Sequence, residues 1–524
     1  MKKGIAIIAI IIFFSHYMNI KAQQVTTEWV INNFNGFPVG VMIGLDNNNN
    51  VLVTGHLGDH TKIITTKYDT DGTLIWERFY SIPNLGVAAT WLSLDPSGNV
   101  IVTGYPRTYG SNPVEVGLLT LKYDNNGNLL WDRIISGTWA FTVRSIVDQS
   151  GNIYVTGRAW QYTATYDFVT VKYAPDGTQL WLDSFDQNAG FHTPTSMYLD
   201  QSNNLFITGG GLSGGLITAM YDSAGVRQWV KEHTGTAGHN IKVDDSGGIF
   251  ITGSFYDVNT GTSNDIMLLK YDFSGNLVWQ KYYDFGNSEY GRLVNIDSQS
   301  NIFITGFGVV PGELLGWLIA KFDSSGNLLW YRRFKLNQFW EEFPYFTLIG
   351  PQDELYVTGN VGLLSGGTTY NGLETVRYNS DGSNPWTASV DLYAGIGKGL
   401  ALGPDLSLYA VGQYYYSTLK YSQSSPTGII KTLFETPETF ILEQNYPNPF
   451  NPVTHIRYAV PQPSQVKLEV YNSLGQKVAD LVNEQKEAGQ YVVAFDASQL
   501  PSGIYIYRIN AGSYQKVMKM MLMK

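Results

Sequence analysis

The amino-acid sequence predicts an all-β fold, and three observations support this prediction. A nine-residue phrase, YDNNGNLLW at residues 123–131, returns in close variants along most of the chain. A second phrase, a hydrophobic run that ends in Thr-Gly or a near variant, occurs eight times. Its last glycines are Gly55, Gly104, Gly157, Gly209, Gly253, Gly306, Gly359 and Gly412. Third, the apolar runs are short, rich in β-branched and aromatic residues, and separated by Gly, Asn and Asp, which is typical of strands joined by tight turns.

The repeating unit of about 50 residues contains four such runs. One begins at a Trp, one ends in a sequence such as LSLD, one ends in Thr-Gly, and one ends in Lys-Tyr-Asp. Four antiparallel strands at this period are typical of a propeller blade, because stacked blades bury both of their faces against neighbours. The sequence therefore predicts an eight-bladed β-propeller over residues 23–425.

Two ways of closing the ring fit the strand counts. If each blade runs from the LSLD-type strand to the Trp strand, the last unit supplies only three strands after Asp391, and the run at Trp29 supplies the fourth. If the Trp strands are innermost, the blades close without exchange. Both alternatives give eight blades.

The nine-residue phrase is interpreted as scaffold. Asp or Asn can bond the turn backbone, Gly accepts positive φ, and the Trp that follows is large enough to pack between blades. Eightfold repetition is what packing requires, whereas a single active site does not need it.

Composition narrows the classes of function. The chain has 524 residues, a formal net charge of −10 and no Cys. Because the phosphate backbone of a nucleic acid is repelled by a net negative chain without a basic stripe, nucleic acid is not expected as a partner. Without Cys, disulfides and thiolate chemistry are excluded.

The amino-terminal residues 1–22 have the parts of a signal peptide. Lys2 and Lys3 precede an apolar run at 5–14, and Ala22 is a small residue at which cleavage can occur. The run is shorter than the roughly 20 residues that a membrane-spanning helix needs, and no transmembrane segment is expected elsewhere.

Candidate ligand-binding residues lie in the connections that vary between units, which we expect on one face of the propeller. Aromatic side chains there could contact sugar rings or a protein surface. The candidates are Trp160, Tyr162, Tyr166, Phe339, Trp340, Tyr345 and Tyr415. The alternative is that these rings cover blade edges.

No catalytic constellation emerges from the sequence. Glu341 and Glu342 are adjacent, so on a strand they point to opposite sides and cannot form a facing carboxylate pair. His56 and His60 are not followed by a third metal ligand at a spacing typical of a metal site, and so they are expected to be a solvated pair. The sequence therefore favours a binding protein over an enzyme, with an extracellular polysaccharide hydrolase or lyase as the alternative.

No metal or cofactor is predicted, although the Asp-rich turns leave a calcium requirement open. The turn at 124–128 lacks the distal bidentate Glu of a twelve-residue calcium loop, so turn chemistry explains it better. The phrase YDTDGTLIW is similar to the tryptophan-docking repeat of eight-bladed quinoprotein dehydrogenases, which would imply pyrroloquinoline quinone and calcium. Those enzymes typically carry a cysteine pair over the cofactor, and this chain has none.

A different pattern begins after the propeller region. Residues 426–436 are predicted to be a linker, and residues 437–524 a small immunoglobulin-like β-sandwich of about seven short strands. Its motifs include YPNPFNP, a Leu-Gly-Gln turn, LPSGIY and a basic, Met-rich end. This stretch resembles the C-terminal sorting domain of the type IX secretion system. The residues that carry the resemblance are Tyr446, Pro447, Asn448, Pro449, Phe450, Gly475, Gly503, Tyr505 and Lys524.

The resemblance implies a route and a partner. It implies export across the inner membrane, recognition of the sorting domain by type IX secretion machinery, and delivery outside a gram-negative bacterium, either released or on the cell surface. Residues 25–425 are similar to bacterial β-propeller repeat proteins, a resemblance that implies architecture only. The predicted function is a secreted or cell-surface propeller that binds an extracellular glycan or protein through its variable connections.

Overall fold

The computed structural model describes most of the chain. The described residues are 25–32, 38–110, 113–161, 165–185, 192–211, 215–234, 236–255, 264–286, 288–309, 315–334, 342–365, 368–383, 386–390, 395–414, 416–423, 440–442, 444–445, 448–486, 489–512 and 514–523. Regular structure in these segments is entirely β, as predicted, and none of them contains a helix. Accordingly, these segments offer no helix that could span a lipid bilayer.

Eight four-stranded sheets account for residues 26–422, and we number them 1 to 8 in chain order. Sheet 1 contains β2 (Val39–Leu45), β3 (Val51–His56), β4 (Ile63–Tyr68) and β5 (Leu74–Tyr80). Sheet 2 contains β6 (Gly86–Leu94), β7 (Val100–Arg107), β8 (Gly117–Tyr123) and β9 (Leu129–Ser136). Sheet 3 contains β10 (Thr138–Val147), β11 (Ile153–Gln161), β12 (Thr165–Tyr173) and β13 (Gln179–Phe185). Sheet 4 contains β14 (His192–Leu199), β15 (Leu205–Gly211), β16 (Gly215–Tyr221) and β17 (Arg227–Thr234).

The remaining sheets follow the same order. Sheet 5 contains β18 (Thr236–Val243), β19 (Ile249–Phe255), β20 (Asp265–Tyr271) and β21 (Leu277–Tyr283). Sheet 6 contains β22 (Glu289–Ile296), β23 (Ile302–Val309), β24 (Leu315–Phe322) and β25 (Leu328–Phe334). Sheet 7 contains β26 (Phe343–Ile349), β27 (Leu355–Ser365), β28 (Thr368–Tyr378) and β29 (Trp386–Val390). Sheet 8 contains β30 (Gly397–Leu402), β31 (Leu408–Gly412), β32 (Thr418–Ser422) and β1 (Thr26–Ile31).

The sheets form a closed ring through their first strands. Each of β2, β6, β10, β14, β18, β22, β26 and β30 contacts the first strand of the next sheet, and β30 contacts β2. The first strands are therefore innermost and surround a central channel, while the strands that carry the repeated Trp are outermost. This is a β-propeller arrangement.

The ring closes by strand exchange between the two ends of the propeller. Strand β1 pairs antiparallel with β32, with Trp29 opposite Lys420. Lys420 also forms an ion pair with Glu28 at 2.8 Å. The structure thus decides between the two alternatives left by the sequence: the amino-terminal strand completes the last sheet.

The C-terminal region contains two further sheets. One consists of β33 (Ile441–Leu442), β34 (Val453–Val460) and β37 (Gly489–Asp496). The other has the order β36 (Lys477–Lys486), β35 (Ser464–Asn472), β38 (Gly503–Ala511) and β39 (Tyr514–Leu522). Buried residues of both sheets, such as Ile456 and Tyr507, belong to one hydrophobic core. The two sheets therefore pack around a common interior.

Candidate functional site

Every innermost strand carries a β-bulge at the same level. The register between the first and second strand of each sheet shifts by one residue there. The unpaired residues are Val41, Thr90, Val143, Thr195, His239, Arg292, Tyr345 and Lys398. All eight side chains are half-buried. Because a bulge re-aims the extra residue out of the regular alternation, these eight residues line the channel near the ends that receive the variable connections.

The repeated Thr-Gly phrase explains the bulge. Its glycine pairs with the residue before the bulge in each sheet, as Gly306 does with Gly291. A Cβ on Gly306 would lie 1.9 Å from the carbonyl oxygen of Tyr290. The close backbone approach at the bulge therefore requires glycine on the second strand.

Three consecutive sheets place two cations around one aromatic ring. The guanidinium carbon of Arg292 lies 4.4 Å from the ring centroid of Tyr345, and Nζ of Lys398 lies 4.2 Å from it. Tyr345 is on sheet 7, between Arg292 on sheet 6 and Lys398 on sheet 8. Cation–π attraction holds both charges at the ring, and Arg292 also forms a side-chain hydrogen bond with Tyr345. A guanidinium has five N–H donors and an ammonium three, so further donors can serve a ligand.

A second group of cations and rings lies deeper in the channel. Arg144 stacks 4.1 Å from the ring centroid of Trp91 and donates to Oγ of Ser196 at 3.2 Å. Nζ of Lys242 lies 5.5 Å from the ring centroid of Tyr198. The ring of Phe346 lies 6.3 Å from that of Trp91, although their strands are separated by two sheets in the ring. These two rings narrow the channel at this level.

The channel is electropositive. Among the innermost strands only β22 contains a carboxylate, Glu289, which forms an ion pair with Arg333 at 3.2 Å. Burial lowers the pKa of Lys242 to about 8, and the charge of Arg144 contributes. Burial likewise lowers the pKa of Lys398 to about 8, with a contribution from Arg292. Within the described segments no carboxylate pairs with these positive charges, which repel one another.

The two predicted aromatic residues whose side chains the structure describes, Trp160 and Tyr345, are not brought together. Trp160 ends β11 on sheet 3 and is 39% exposed. Tyr345 lies on innermost strand β26 of sheet 7, and so it belongs to the channel lining and not to a connection. Tyr166 pairs with Trp160 on β12, and its side chain lies outside the described part of the structure. Tyr162, Phe339, Trp340 and Tyr415 also lie outside the described residues.

The prediction of a solvated histidine pair was wrong for His56. The rings of His56 and His60 stack with centroids 4.7 Å apart, and His56 is buried. Burial, with the charges of His60 and Arg107, lowers the pKa of His56 to about 3. The pair was recognised by its spacing, but its burial depends on neighbours contributed by the next sheet.

One group of carboxylates has the spacing of a cation site. Single oxygens of Asp265, Asp284 and Glu289 lie within 4.8 Å of one another, on sheets 5 and 6. Burial and the neighbouring Asp284 raise the pKa of Asp265. Because Arg333 already compensates Glu289, the group has a protein counter-charge.

The Asp-rich turns use their carboxylates internally. Oδ1 of Asp124 accepts from the backbone N–H groups of Asn126 and Asn128, and Oδ2 accepts from Nδ2 of Asn128 at 2.8 Å. Turn chemistry therefore accounts for these residues, as the sequence suggested.

Three of the sorting-signal residues, Asn448, Pro449 and Phe450, form a segment that runs beside the last strand. Asn448 and Pro449 are exposed, whereas Phe450 is buried and bridges Leu522 of β39. Oδ1 of Asn448 accepts from the backbone N–H of Met521 at 2.8 Å. The segment is thus fixed to the C-terminal strand while its polar and proline residues face outward.

The other sorting residues have structural roles. Gly475 has a φ of 78° in the exposed turn after β35, Gly503 begins β38, and the hydroxyl of buried Tyr505 donates to the carbonyl of Pro501 at 2.7 Å. Tyr446, Pro447 and Lys524 lie outside the described residues.

Comparison with solved structures gives distant likenesses. The "Dos1 propeller" is 10% identical, with 78% of this chain and 98% of that chain covered and a TM-score of 0.49. PorZ, titled an essential surface component of the type-IX secretion system of Porphyromonas gingivalis, is 11% identical over 95% and 82% of the two chains, with a TM-score of 0.38. The WD40 propeller domain of Doa1 is 8% identical over 76% and 97%, with a TM-score of 0.41. With TM-scores below 0.5, these likenesses carry no argument about activity.

No curated protein matches the chain. Residues 444–523, however, match the family described as "Secretion system C-terminal sorting domain". This match covers all strands of the two C-terminal sheets except β33, and it confirms the resemblance drawn from the PNPF, LGQ and LPSGIY motifs. The chain therefore carries a type IX secretion system C-terminal sorting domain at residues 444–523, behind a β-propeller.

Proposed function

We propose that this protein is a binding module of the bacterial exterior. In this proposal residues 23–425 are an eight-bladed β-propeller, residues 1–22 are a cleaved signal peptide, and the domain at 437–524, an immunoglobulin-like sandwich, directs export by the type IX machinery. The propeller recognises an extracellular glycan or protein through the face that carries the variable connections. The protein is released or stays on the outer surface of a gram-negative cell.

The observation that carries the binding role is the arrangement around Tyr345. A half-buried aromatic ring flanked by Arg292 and Lys398, near the variable connections, offers ligand contacts that the fold itself leaves unused. Trp160 adds an exposed aromatic side chain at the variable end of sheet 3. Aromatic rings with unpaired cations suit recognition of polar ligands.

Replacing Trp160 tests the binding role at the rim. We expect Trp160→Ala to weaken binding of glycan or protein hits by roughly 5- to 30-fold, the effect of losing 1–2 kcal/mol. The melting temperature should stay nearly intact because the side chain is partly exposed. Hits from a glycan array and from a panel of extracellular proteins would be titrated against purified protein by calorimetry.

The matched control is Phe79→Ala. Phe79 is an exposed aromatic residue on outermost strand β5, away from the channel. The Phe79→Ala variant should bind the same hits with the affinity of the unaltered protein. A large loss of stability in Trp160→Ala with unchanged affinity would contradict the proposed role and favour the alternative that this ring covers a blade edge.

The carboxylate group at sheets 5 and 6 supports a second candidate, a polysaccharide hydrolase or lyase. A carboxyl whose pKa is raised, beside a second carboxylate, is the pairing that general acid and base catalysis needs. Any glycan that binds would be incubated with the protein and with Asp265→Asn. Turnover that disappears in Asp265→Asn would establish that the protein is an enzyme. Binding without turnover would support the binding module instead.

A further inference from the structure

The charge balance of the channel is unusual for a protein of this composition. The chain as a whole has a net charge of −10. Its innermost strands nevertheless carry Arg144, Lys242, Arg292 and Lys398, and none of these four forms an ion pair with a carboxylate of the described segments. Charged groups that are withdrawn from water without a partner destabilise a fold. A bound anion would supply the missing charge.

The aromatic lining indicates which kind of anion the site fits. Tyr345 lies between Arg292 and Lys398. Deeper in the channel, Trp91 lies beside Arg144 and Tyr198 beside Lys242. Phe346 lies opposite this deeper pair, next to Trp91. A simple inorganic ion would need only the cations. Rings beside cations suit a ligand that combines a flat or apolar face with an oxyanion, which is the chemistry of a uronic acid or a sulfated sugar.

The width of the channel limits the size of the ligand. The rings of Trp91 and Phe346 approach to 6.3 Å between centroids, although two sheets separate their strands around the ring. The bulge level with Arg292, Tyr345 and Lys398 lies between this constriction and the variable connections. An oligosaccharide end that enters from the variable connections therefore meets Arg292, Tyr345 and Lys398 before it reaches the constriction.

We infer that the channel binds the terminal acidic sugar of a glycan, with its carboxylate or sulfate paired to Arg292 and Lys398 beside the edge of Tyr345. This inference rests on the proposed binding function and specifies its ligand. Arg144 and Lys242, at the level of the constriction, extend the positive potential and draw the oxyanion inward. His239 adds a neutral donor or acceptor, because burial, with the charge of Arg292, lowers its pKa to about 4.

Calorimetry with three probes and the full mature chain tests the inference. The probes are a uronic acid trisaccharide, the neutral trisaccharide of the same linkage, and the tripeptide Glu-Glu-Glu. We expect the acidic trisaccharide to bind and the neutral one to bind at least about tenfold more weakly. Lys398→Met and Arg292→Gln should each weaken acidic binding by at least about tenfold, because each removes one partner of a charge pair withdrawn from water.

The matched control is Lys281→Met. Nζ of Lys281 also lies over an aromatic ring, 5.6 Å from the centroid of Trp279, but on outermost strand β21. The affinity of the Lys281→Met variant for the acidic trisaccharide should equal that of the unaltered protein. The melting temperature of ligand-free Lys398→Met should equal or exceed that of the unaltered protein, because a charge that repels Arg292 is removed. A marked fall would show that the fold itself needs this cation and would overturn the inference.

The remaining outcomes separate this inference from the proposed function. If both trisaccharides bind equally well and Trp160→Ala weakens that binding, the acidic-sugar inference is overturned, whereas the proposed binding function is supported. Binding of the tripeptide alone would identify a protein ligand and overturn the inference as well. If neither the probes nor the glycan and protein panels bind, both proposals fall.

Discussion

Seven of the eight repeated Trp residues pack against the glycine of the next turn in the ring. Nε1 of Trp76 donates to the carbonyl of Asn125 at 3.1 Å, and a Cβ on Gly127 would lie 2.8 Å from the indole of Trp76. The same relation links Trp131 to Gly177. The nine-residue phrase therefore joins neighbouring sheets: the turn of one unit receives the Trp of the unit before it.

Gly127→Ala tests this contact at the residue scale. The φ of Gly127 is 80°, where a side chain costs about 1–2 kcal/mol, and displacement of Trp76 adds about 1–3 kcal/mol. We expect the melting temperature of the propeller to fall in calorimetry.

The matched variant Gly98→Ala separates the two effects. Gly98 has a φ of 78°, but its nearest neighbouring atoms lie 4.0 Å from the added Cβ. The Gly98→Ala variant should therefore lose only the stability that the backbone strain costs. If the two variants melt at the same temperature, the Trp contact contributes nothing to stability.

The element that makes the channel is the bulged innermost strand. A regular strand pair would keep alternating side chains between neighbouring sheets, whereas the bulge places one extra residue of each strand at the axis. Eight such strands therefore combine a repeated scaffold with eight lining positions of unrelated identity, from Val41 to Lys398. Scaffold and specificity are encoded on the same strands.

Gly306→Ala tests the bulge at the element scale. The added Cβ would lie 1.9 Å from a backbone oxygen, so β22 and β23 must separate and Arg292 must move. We expect destabilisation of about 3 kcal/mol or more, the range of severe core changes, together with faster hydrogen exchange in these two strands.

Gly215→Ala is the control for a strand glycine without this constraint. Its added Cβ would lie 3.4 Å from the side chain of Glu232 and 4.0 Å from the carbonyl oxygen of His233, which are ordinary contacts. Its stability should change little. Similar exchange in β22 and β23 for the unaltered protein and Gly306→Ala would contradict the role assigned to the repeated Thr-Gly.

At the scale of the whole molecule, the propeller and the sorting domain have separate interiors. The C-terminal core is built from residues between 442 and 522, and the other described core clusters contain only residues up to 421. Each part buries its own apolar surface, which is the usual condition for independent folding.

Deleting residues 437–524 tests this separation together with the route of export. We expect a folded propeller that accumulates in the periplasm, because the proposed signal peptide would still act while the sorting domain is missing. Fractionation of the cells with immunodetection would locate it. Residues 426–524 fused to a periplasmic reporter provide the reciprocal control, which should reach the exterior. Delivery of the shortened chain to the medium or cell surface would contradict the assignment.

Much of the scaffold was predictable because repetition makes local patterns reinforce one another. The Trp and Gly phrases predicted strands and turns, and the strand count allowed the exchange in which β1 completes sheet 8. The lining of the channel was missed, apart from Tyr345, which was chosen as part of a connection. A signal existed: each lining residue lies fourteen positions before the glycine of its Thr-Gly phrase, as Val41 does before Gly55 and Lys398 before Gly412.

The sequence by itself determined the all-β class, the repeating four-strand unit and the sorting domain, because each depends on patterns within a few tens of residues. Only the tertiary structure decided which strand is innermost and which side chains meet at the axis. Arg292, Tyr345 and Lys398 are each about fifty residues apart in the chain and become neighbours only when the ring closes. Their close approach is a property of that closure, since no single repeat contains all three residues.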